Sequence, residues 1–224
     1  MTTFQRARSE EQREIRRRAI LDTAAAMLDE MSVGALSLNE LSRRVGLAKS
    51  NVLRYFESRE AVLLELLDRD WRQWTAALPE QLAVQVTPGA PPIRRGREFA
   101  AVLAHSFAQH RVLCDLLSAQ AGVLEHNVSA DVAARYKRAA LDNVAALAAL
   151  ARQYLPELGG HADRFCAEAV MVSGAVWTHA RPSAAMLEAY AADPSLAALR
   201  MDFTTTLEEM LTTLIAGTLA RVEE

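Results

Sequence analysis

Apolar positions along this chain recur with the three-to-four-residue period of helices, and alternation of apolar and polar positions is nearly absent. Alanine and leucine, both strong helix formers, dominate these segments. The pattern therefore predicts an all-α fold. After the N-terminal region and a long helix that follows it, we expect helices over residues 96–110, 111–125, 129–154, 161–180, 183–191 and 199–221.

Local start and stop signals divide the N-terminal region into short helices. Capping-box patterns at Ser9 and Ser37 predict the starts of a first and a second helix. The second helix is expected to stop at Gly46, because glycine tolerates the positive φ of a helix C-terminus. A third, short helix begins three residues later, and Ser58 can cap a long fourth helix.

The fourth helix has a single apolar stripe and is followed by the clearest loop in the chain. The stripe consists of Leu63, Leu67, Trp71, Trp74 and Leu78. Pro79 interrupts this pattern, and residues 84–96, rich in proline and glycine, predict a loop. We expect a domain boundary between the short helices and the long one, which gives an N-terminal domain over 1–57 and a larger helical domain over 58–224.

Composition excludes several classes of protein. Hydrophobic residues make up 51% of the chain and charged residues 24%, which indicates a globular protein, and no apolar run approaches the ~20 residues of a membrane span. The charged N-terminus lacks the apolar segment of a secretory signal, so we expect a cytoplasmic protein without a membrane partner. Cys114 and Cys166 are far apart and unaccompanied, so neither a disulfide framework nor a metal site is expected.

Motifs of catalysis are missing from the sequence. The patterns GxSxG, HExxH, GxGxxG and the phosphate-binding loop do not occur, and no two histidines have the i, i+4 spacing of a metal pair on one helix face. We therefore expect no catalytic residue, no cofactor and no enzymatic activity. The net charge of −3 conceals an asymmetry, since residues 1–60 carry +2 and residues 61–224 carry −5. A surface that binds nucleic acid is accordingly expected near the N-terminus.

The third helix has the side chains that a DNA-binding helix needs. Val52 and Phe56 are four residues apart and predict a core-facing side. The exposed polar, cationic end is expected to consist of Lys49, Ser50, Asn51, Arg54 and Tyr55. Lysine and arginine neutralise phosphates, and asparagine and arginine can make bidentate contacts to base edges. Two short helices joined by a glycine turn could also form a simple αα-corner, which is the alternative interpretation.

The segment SLNELSRRVGLAKSNVLRYFESREAVLLELL, residues 37–67, resembles the signature of the TetR (tetracycline repressor) family. The capped helix, the glycine turn, the recognition helix ending in phenylalanine and the start of the next helix follow in the order that the family has. The similarity covers roughly residues 12–70. It implies an N-terminal three-helix helix-turn-helix domain that binds DNA and a larger C-terminal helical domain for ligand binding and dimerisation.

By position, this resemblance supplies candidate DNA contacts. They are Ser37, Arg44, Lys49, Ser50, Asn51, Arg54, Tyr55 and Arg59. The sequence departs from the family at Ala48, where a capping serine or threonine is common, and at Leu53, where a phosphate-binding tyrosine is common. Arg44 could equally be a solvated charge on the helix surface. The arginines between residues 13 and 18 could likewise be solvated, or could belong to a flexible arm that reaches an adjacent groove.

The resemblance also implies an effector cavity in the larger domain, which holds an unusual set of large and polar-tipped side chains. The candidates for lining it are Trp71, Trp74, His105, Phe107, Tyr136, Met171 and Trp177. A tryptophan stripe at helical spacing is also typical of a core, and a single histidine is often a satisfied core group. A constitutive DNA-binding or partner-binding protein without an effector pocket therefore stays open as an alternative.

A module of this size contacts only a few base pairs, so specificity requires two copies on a two-fold DNA site. We expect a homodimer on a palindromic double-stranded operator, which an apolar or amphipathic small molecule would release. The candidate interface residues lie on the last two long helices and are Phe165, Ala169, Val172, Val176, Phe203, Leu207, Leu211, Leu214 and Thr218. These stripes could instead face the core of their own domain; the family resemblance favours the dimer.

Overall fold

The computed structural model describes residues 2–222, and it describes the side chains of residues 10–221. Within this range the chain is helical and has no strand, as the periodicity predicts. The N-terminal three-helix unit consists of α1 (Thr2–Glu30), α2 (Leu38–Val45) and α3 (Lys49–Val52). Its hydrophobic centre includes Ile20 and Met27 of α1, which are fully buried.

The larger domain surrounds a long fourth helix. Its helices are α4 (Arg59–Gln85), α5 (Pro92–Gln109), α6 (Arg111–Ala119), α7 (Ala130–Tyr154), α8 (Ala162–His179), α9 (Ala184–Ala192), α10 (Pro194–Ala197) and α11 (Phe203–Val222). A π-helical turn (Gln120–Leu124) extends α6, and a 3₁₀ segment (Pro156–His161) precedes α8. No helix within residues 2–222 combines the length and apolar character needed to cross a membrane.

The core of the larger domain is closely packed around α4. Trp74 stacks on Phe107 with 4.2 Å between ring centroids, and its indole N–H donates to Oγ of Ser106 at 2.9 Å. Helices α5 and α11 approach closely at Gly96, where an added Cβ would lie 2.7 Å from Cγ2 of Ile215. Because these contacts leave no room for larger side chains, α4, α5 and α11 form a fixed frame for the remaining helices.

Three sequence predictions about helix ends are wrong. Helix α1 begins at Thr2 rather than at Ser9, and no glycine or proline precedes Ser9 to stop it. Helix α4 continues through Pro79 to Gln85. The lost hydrogen bond and steric clash of an interior proline cost about 3 kcal/mol, which burial of Leu78 and Leu82 on the same helix can offset at roughly 1.5–3 kcal/mol each. Helix α5 starts inside the predicted loop, because Pro92 suits its first turn.

The arginine run of α1 lies inside a helix, which contradicts the flexible-arm hypothesis for residues 13–18. Arg17 instead connects three elements. Its guanidinium donates to the carbonyl oxygen of Tyr55 at 2.8 Å, pairs with Glu65 of α4, and lies 4.5 Å from the centre of the Phe56 ring. Arg17 therefore connects the end of residues 49–57, which we call the recognition segment, to both α1 and α4.

Candidate nucleic-acid interface

The turn between α2 and α3 has the geometry that its sequence predicts. Oγ of Ser37 accepts a hydrogen bond from the backbone N–H of Glu40 at 3.2 Å and so caps α2. The helix ends at Gly46, whose φ of 72° and ψ of 29° are left-handed. The backbone N–H of Leu47 then donates to the carbonyl of Ser42 at 3.0 Å. This compact C-cap sets the direction in which α3 leaves α2.

Helix α3 is short but continues as helical turns to Phe56. The N–H of Leu53 donates to the carbonyl of Lys49 at 3.0 Å, and that of Phe56 to the carbonyl of Val52 at 3.1 Å. Val52 and Phe56 are buried, as their spacing predicts. No side chain caps the start of α3, because Ala48 occupies that position, and Leu53 is exposed.

Four polar side chains share the exposed surface of this segment, which we call the recognition surface: Lys49, Ser50, Asn51 and Arg54. None of them makes a side-chain hydrogen bond or ion pair with any other residue whose side chain the structure describes. Their donors and acceptors are therefore directed to solvent, and the surface combines two cations with two groups able to hydrogen-bond bases or phosphates.

The other four predicted DNA contacts are engaged within the protein. Oγ of Ser37 serves as the cap of α2, and the carbonyl of half-buried Tyr55 accepts from Arg17. Arg44 pairs with Glu40 at 2.9 Å and with Glu30 at 2.7 Å. The guanidinium of Arg59 donates to the carbonyl of Leu36 at 3.1 Å and to Glu60 at 3.0 Å. Their predicted contacts with DNA stay predictions. The side chains of Ser37, Arg44 and Arg59 have partners within the protein, whereas Tyr55 is engaged only through its backbone carbonyl.

Electrostatics within α2 are dominated by one carboxylate. Glu40 accepts hydrogen bonds from the guanidinium groups of Arg43 and Arg44, which lower its pKa to about 2. Because Glu40 stays ionised at neutral pH, it offsets part of the charge of these arginines. Among the described side chains of this domain, the cations without such a partner are Lys49 and Arg54 of the recognition surface and Arg13, Arg16 and Arg18 of α1.

The seven residues predicted to line an effector cavity occupy different surroundings. Trp74 and Phe107 are stacked inside the core, and Trp71 is buried beside them on α4. Trp177 donates to Asp115 at 2.7 Å, whereas His105 and Met171 are exposed. Tyr136 alone of the seven lines the cavity described next.

A cavity of about 490 Å³ lies where the two units of the chain meet. We call it the junction cavity. It is bounded by Arg17 of α1, by the segment 53–57 that follows α3, by one side of α4 and by the start of α7. Sequence analysis did not find this site, because its walls come from four separate segments and no local pattern links them. Arg17 was noticed only as part of a charged run.

A direct contact bridges the two units beside this cavity. The carboxylate of Glu57 accepts from the backbone N–H of Ser129 at 2.6 Å and from its hydroxyl at 2.8 Å. These hydrogen bonds lower the pKa of Glu57. Ser129 also caps α7, so the end of the recognition segment is fastened to the start of that helix.

The predicted dimer residues face mainly inward. Six are buried in the chain's own core: Phe165, Ala169, Val176, Leu207, Leu211 and Thr218. The other three, Val172, Phe203 and Leu214, are half-buried. Helices α8 and α11 nevertheless lie side by side, and their outward faces carry exposed small and apolar residues that are not among the nine predicted interface residues. These are Met171, Ala175, Met210, Thr213 and Gly217, which we call the α8/α11 face.

Two family models match consecutive parts of this chain. Residues 20–66 match the model for bacterial regulatory proteins of the tetR family. Residues 68–222, more than half of the chain, match the model for the tetracyclin repressor-like C-terminal domain. The chain belongs to the TetR family. The two models meet within α4, and a domain boundary at residues 57 and 58 stays a prediction.

Curated relatives in the TetR family match over part of the chain. The HTH-type transcriptional regulator EthR of Mycolicibacterium smegmatis is 33% identical over 97 residues, which is 42% of this chain and 42% of that protein. EthR of Mycobacterium tuberculosis is 40% identical over 60 residues, 27% of this chain and 28% of that protein. The chain thus matches less than half the length of these regulators.

A solved structure extends the similarity to nearly the whole fold. A TetR-family transcriptional regulator from Mesorhizobium loti superposes with a TM-score of 0.52 at 16% identity, covering 93% of this chain and 97% of that one. At this identity the likeness concerns the fold alone. Together with the family models, it confirms the all-α architecture of an N-terminal helix-turn-helix domain followed by a larger helical domain. The chain therefore has the two-domain architecture of the TetR family of bacterial regulatory proteins.

Proposed function

We propose that this chain is a homodimeric repressor that binds a palindromic operator through α3 and is released from it by a small amphipathic molecule. The observation that carries the proposal is the recognition surface, on which Lys49, Ser50, Asn51 and Arg54 are exposed together without protein partners. Asparagine and arginine suit bidentate contacts to adenine and guanine, and lysine suits a phosphate. The short helix can therefore supply both base contacts and phosphate contacts.

Dimerisation would take place through the α8/α11 face. Met171 and Met210 are 66% and 43% exposed on neighbouring helices, and Gly217 allows close approach of a second helix. A palindromic site requires that the two-fold axis of such a dimer present both recognition surfaces to the DNA. The proposed interface consists of outward residues, whereas most of the residues that the sequence suggested support it from inside.

Release by an effector requires that a ligand prefer a conformation that binds DNA poorly. The contacts of Arg17 with Glu65 and of Glu57 with Ser129 connect the recognition segment to α4 and α7. A change in the position of α4 or α7 would therefore move the recognition surface. This connection favours regulated binding over the alternative of a constitutive DNA-binding protein.

The test is binding of the purified protein to DNA from the region upstream of its own gene, titrated with salt. We expect Asn51→Ala to weaken specific binding by about 1–3 kcal/mol, roughly fivefold to 150-fold, and to relax specificity. Lys49→Ala should weaken binding to all sequences and reduce the salt slope by about 1. Arg97→Ala, an exposed arginine on α5, is the matched control and should bind as the wild type does. Weak binding without sequence preference, unaffected by both substitutions on α3, would refute the proposal.

A further inference from the structure

The junction cavity has an apolar wall built from both units of the chain. Leu53 and Phe56 contribute from the recognition segment, Leu64 from α4, and Val132 and Ala139 from α7. Its volume of about 490 Å³ lies within the range of small-molecule sites. An apolar molecule, or the apolar part of an amphiphile, can therefore be held between the DNA-binding unit and the larger domain.

The carboxylates that line the cavity are already engaged. Glu57 accepts two hydrogen bonds from Ser129, and Glu65 pairs with Arg17. Asp68, the third carboxylate, pairs with Arg72 at 2.9 Å and accepts from the side-chain amide of Asn143, also at 2.9 Å. Glu65 and Asp68 are therefore paired with arginines, whereas Glu57 is hydrogen-bonded only to the neutral Ser129 and keeps a negative charge that attracts Arg135.

Two cations in the same cavity have no such engagement. Arg54, from the recognition segment, and Arg135, from α7, line the cavity and form no ion pair or hydrogen bond with any residue whose side chain is described. Four arginines and three carboxylates line the cavity, so its net charge is +1, and the two arginines without an ion pair lie on opposite units. An anion held by both would bridge the units.

The buried hydroxyl of Tyr136 is a second, independent feature of this cavity. Tyr136 lines the cavity and is 5% exposed, and its hydroxyl has no hydrogen-bond partner among the described residues. Burial, together with the charges of Glu125 and Asp68, raises the pKa of this phenol, so that it keeps its proton. A buried hydroxyl without an acceptor is rare in folded proteins, and Tyr136 brings one to the wall of this cavity.

We propose that the junction cavity binds an anionic amphiphile of the carboxylate class, with its carboxylate between Arg54 and Arg135 and its hydrocarbon body against Leu53, Leu64 and Val132. Binding itself is independent of DNA. Its regulatory consequence rests on the proposed function, because Arg54 belongs both to the recognition surface and to the cavity. A carboxylate held by Arg54 would withdraw that guanidinium from DNA, so ligand and operator would exclude one another.

Calorimetric titration of the full chain with octanoate, decanoate and dodecanoate, each below its micelle concentration, tests the binding site. The matched probes decan-1-ol and decylammonium have the same chain length as decanoate but no charge or a positive charge. We expect saturable binding of at least one carboxylate, and decanoate at least about tenfold tighter than decan-1-ol. Equal binding of the three ten-carbon probes, or no saturable binding of any carboxylate, would overturn the proposal.

Two substitutions place the ligand in this cavity. Arg135→Gln should reduce the affinity for the carboxylate about tenfold and remove most of the preference over decan-1-ol. Arg138→Gln changes an exposed arginine on the same helix that does not line the cavity, and should leave binding unchanged. Ala139→Phe fills the cavity and should weaken all three ten-carbon probes, with circular dichroism confirming the fold. Carboxylate binding that survives both Arg135→Gln and Ala139→Phe would show that the ligand lies elsewhere.

Two measurements separate this inference from the proposed function: ligand titration without DNA, and operator titration with and without saturating ligand. If decanoate binds in the cavity but operator affinity stays the same at saturating ligand, the site is real and control by competition for Arg54 is wrong. If operator DNA binds specifically but no carboxylate binds, the proposed DNA-binding function stands and the junction site fails.

Discussion

Gly46 offers the sharpest test of how the sequence builds the helix-turn-helix. Its backbone has φ of 72° and ψ of 29°, a conformation that costs an L-amino acid about 1–2 kcal/mol. An added Cβ would meet no atom within 4 Å, so Gly46→Ala introduces no steric overlap. The expected loss of about 1–2 kcal/mol is therefore purely conformational. For a domain of this size it corresponds to a fall in Tm of roughly 2–8 °C.

Thermal unfolding of Gly46→Ala, Gly46→Asn and Gly34→Ala, followed by circular dichroism at one protein concentration, measures this loss. Asparagine tolerates the left-handed region better than alanine, so Gly46→Asn should lose less stability. Gly34 also has open space around it but has no left-handed φ, and Gly34→Ala should unfold at or slightly above the wild-type Tm. A wild-type Tm for Gly46→Ala, or an equal fall for Gly34→Ala, would refute the conformational argument.

Two further predictions concern the contacts between units and between subunits. Hydrogen bonds from Ser129 lower the pKa of Glu57 in the folded protein, so its contribution to stability is present above the ordinary glutamate pKa of 4.5 and is lost as the pH falls through the lower folded value. The Tm difference between wild type and Glu57→Gln should therefore shrink below pH 4.5. The control Glu80→Gln, at an exposed position of α4, should show no such trend. A Tm difference for Glu57→Gln that is constant with pH would contradict the stabilising role of the Glu57–Ser129 hydrogen bonds. If the chain dimerises as proposed, Met210→Arg should halve the mass measured for the wild type in analytical ultracentrifugation, because a charge would be buried in the α8/α11 face. Val84→Arg, at an 85% exposed position, should leave the mass unchanged. A dimer that persists in Met210→Arg would place the interface elsewhere.

Local sequence signals were sufficient for the DNA-binding unit. The Ser37 cap, the glycine at position 46 and the spacing of Val52 and Phe56 each depend on residues within one turn of helix. Such signals act over a few residues, so they can be recognised without knowing the fold. They also indicated the exposed positions of α3, because burying two positions four residues apart leaves the opposite side of a helix in solvent.

The same signals were insufficient where packing competes with them. Pro79 marks a helix end by its local chemistry, yet α4 continues because its neighbours Leu78 and Leu82 are buried. The tryptophan stripe predicted either a core or a ligand cavity, and periodicity is identical for both. Only the position of Phe107 against Trp74 showed that this part of the stripe is packed as core.

The sequence by itself determined the helical class, the helix-turn-helix and its outward residues, because each of these follows from period and from capping within one segment. The tertiary structure alone decided which apolar residues pack inside and which remain exposed on the α8/α11 face, since an apolar position favours burial without specifying its partner. It also decided the junction cavity. Arg54 and Arg135 are 81 residues apart in the chain, and only the docking of α7 beside the recognition segment brings them to one site.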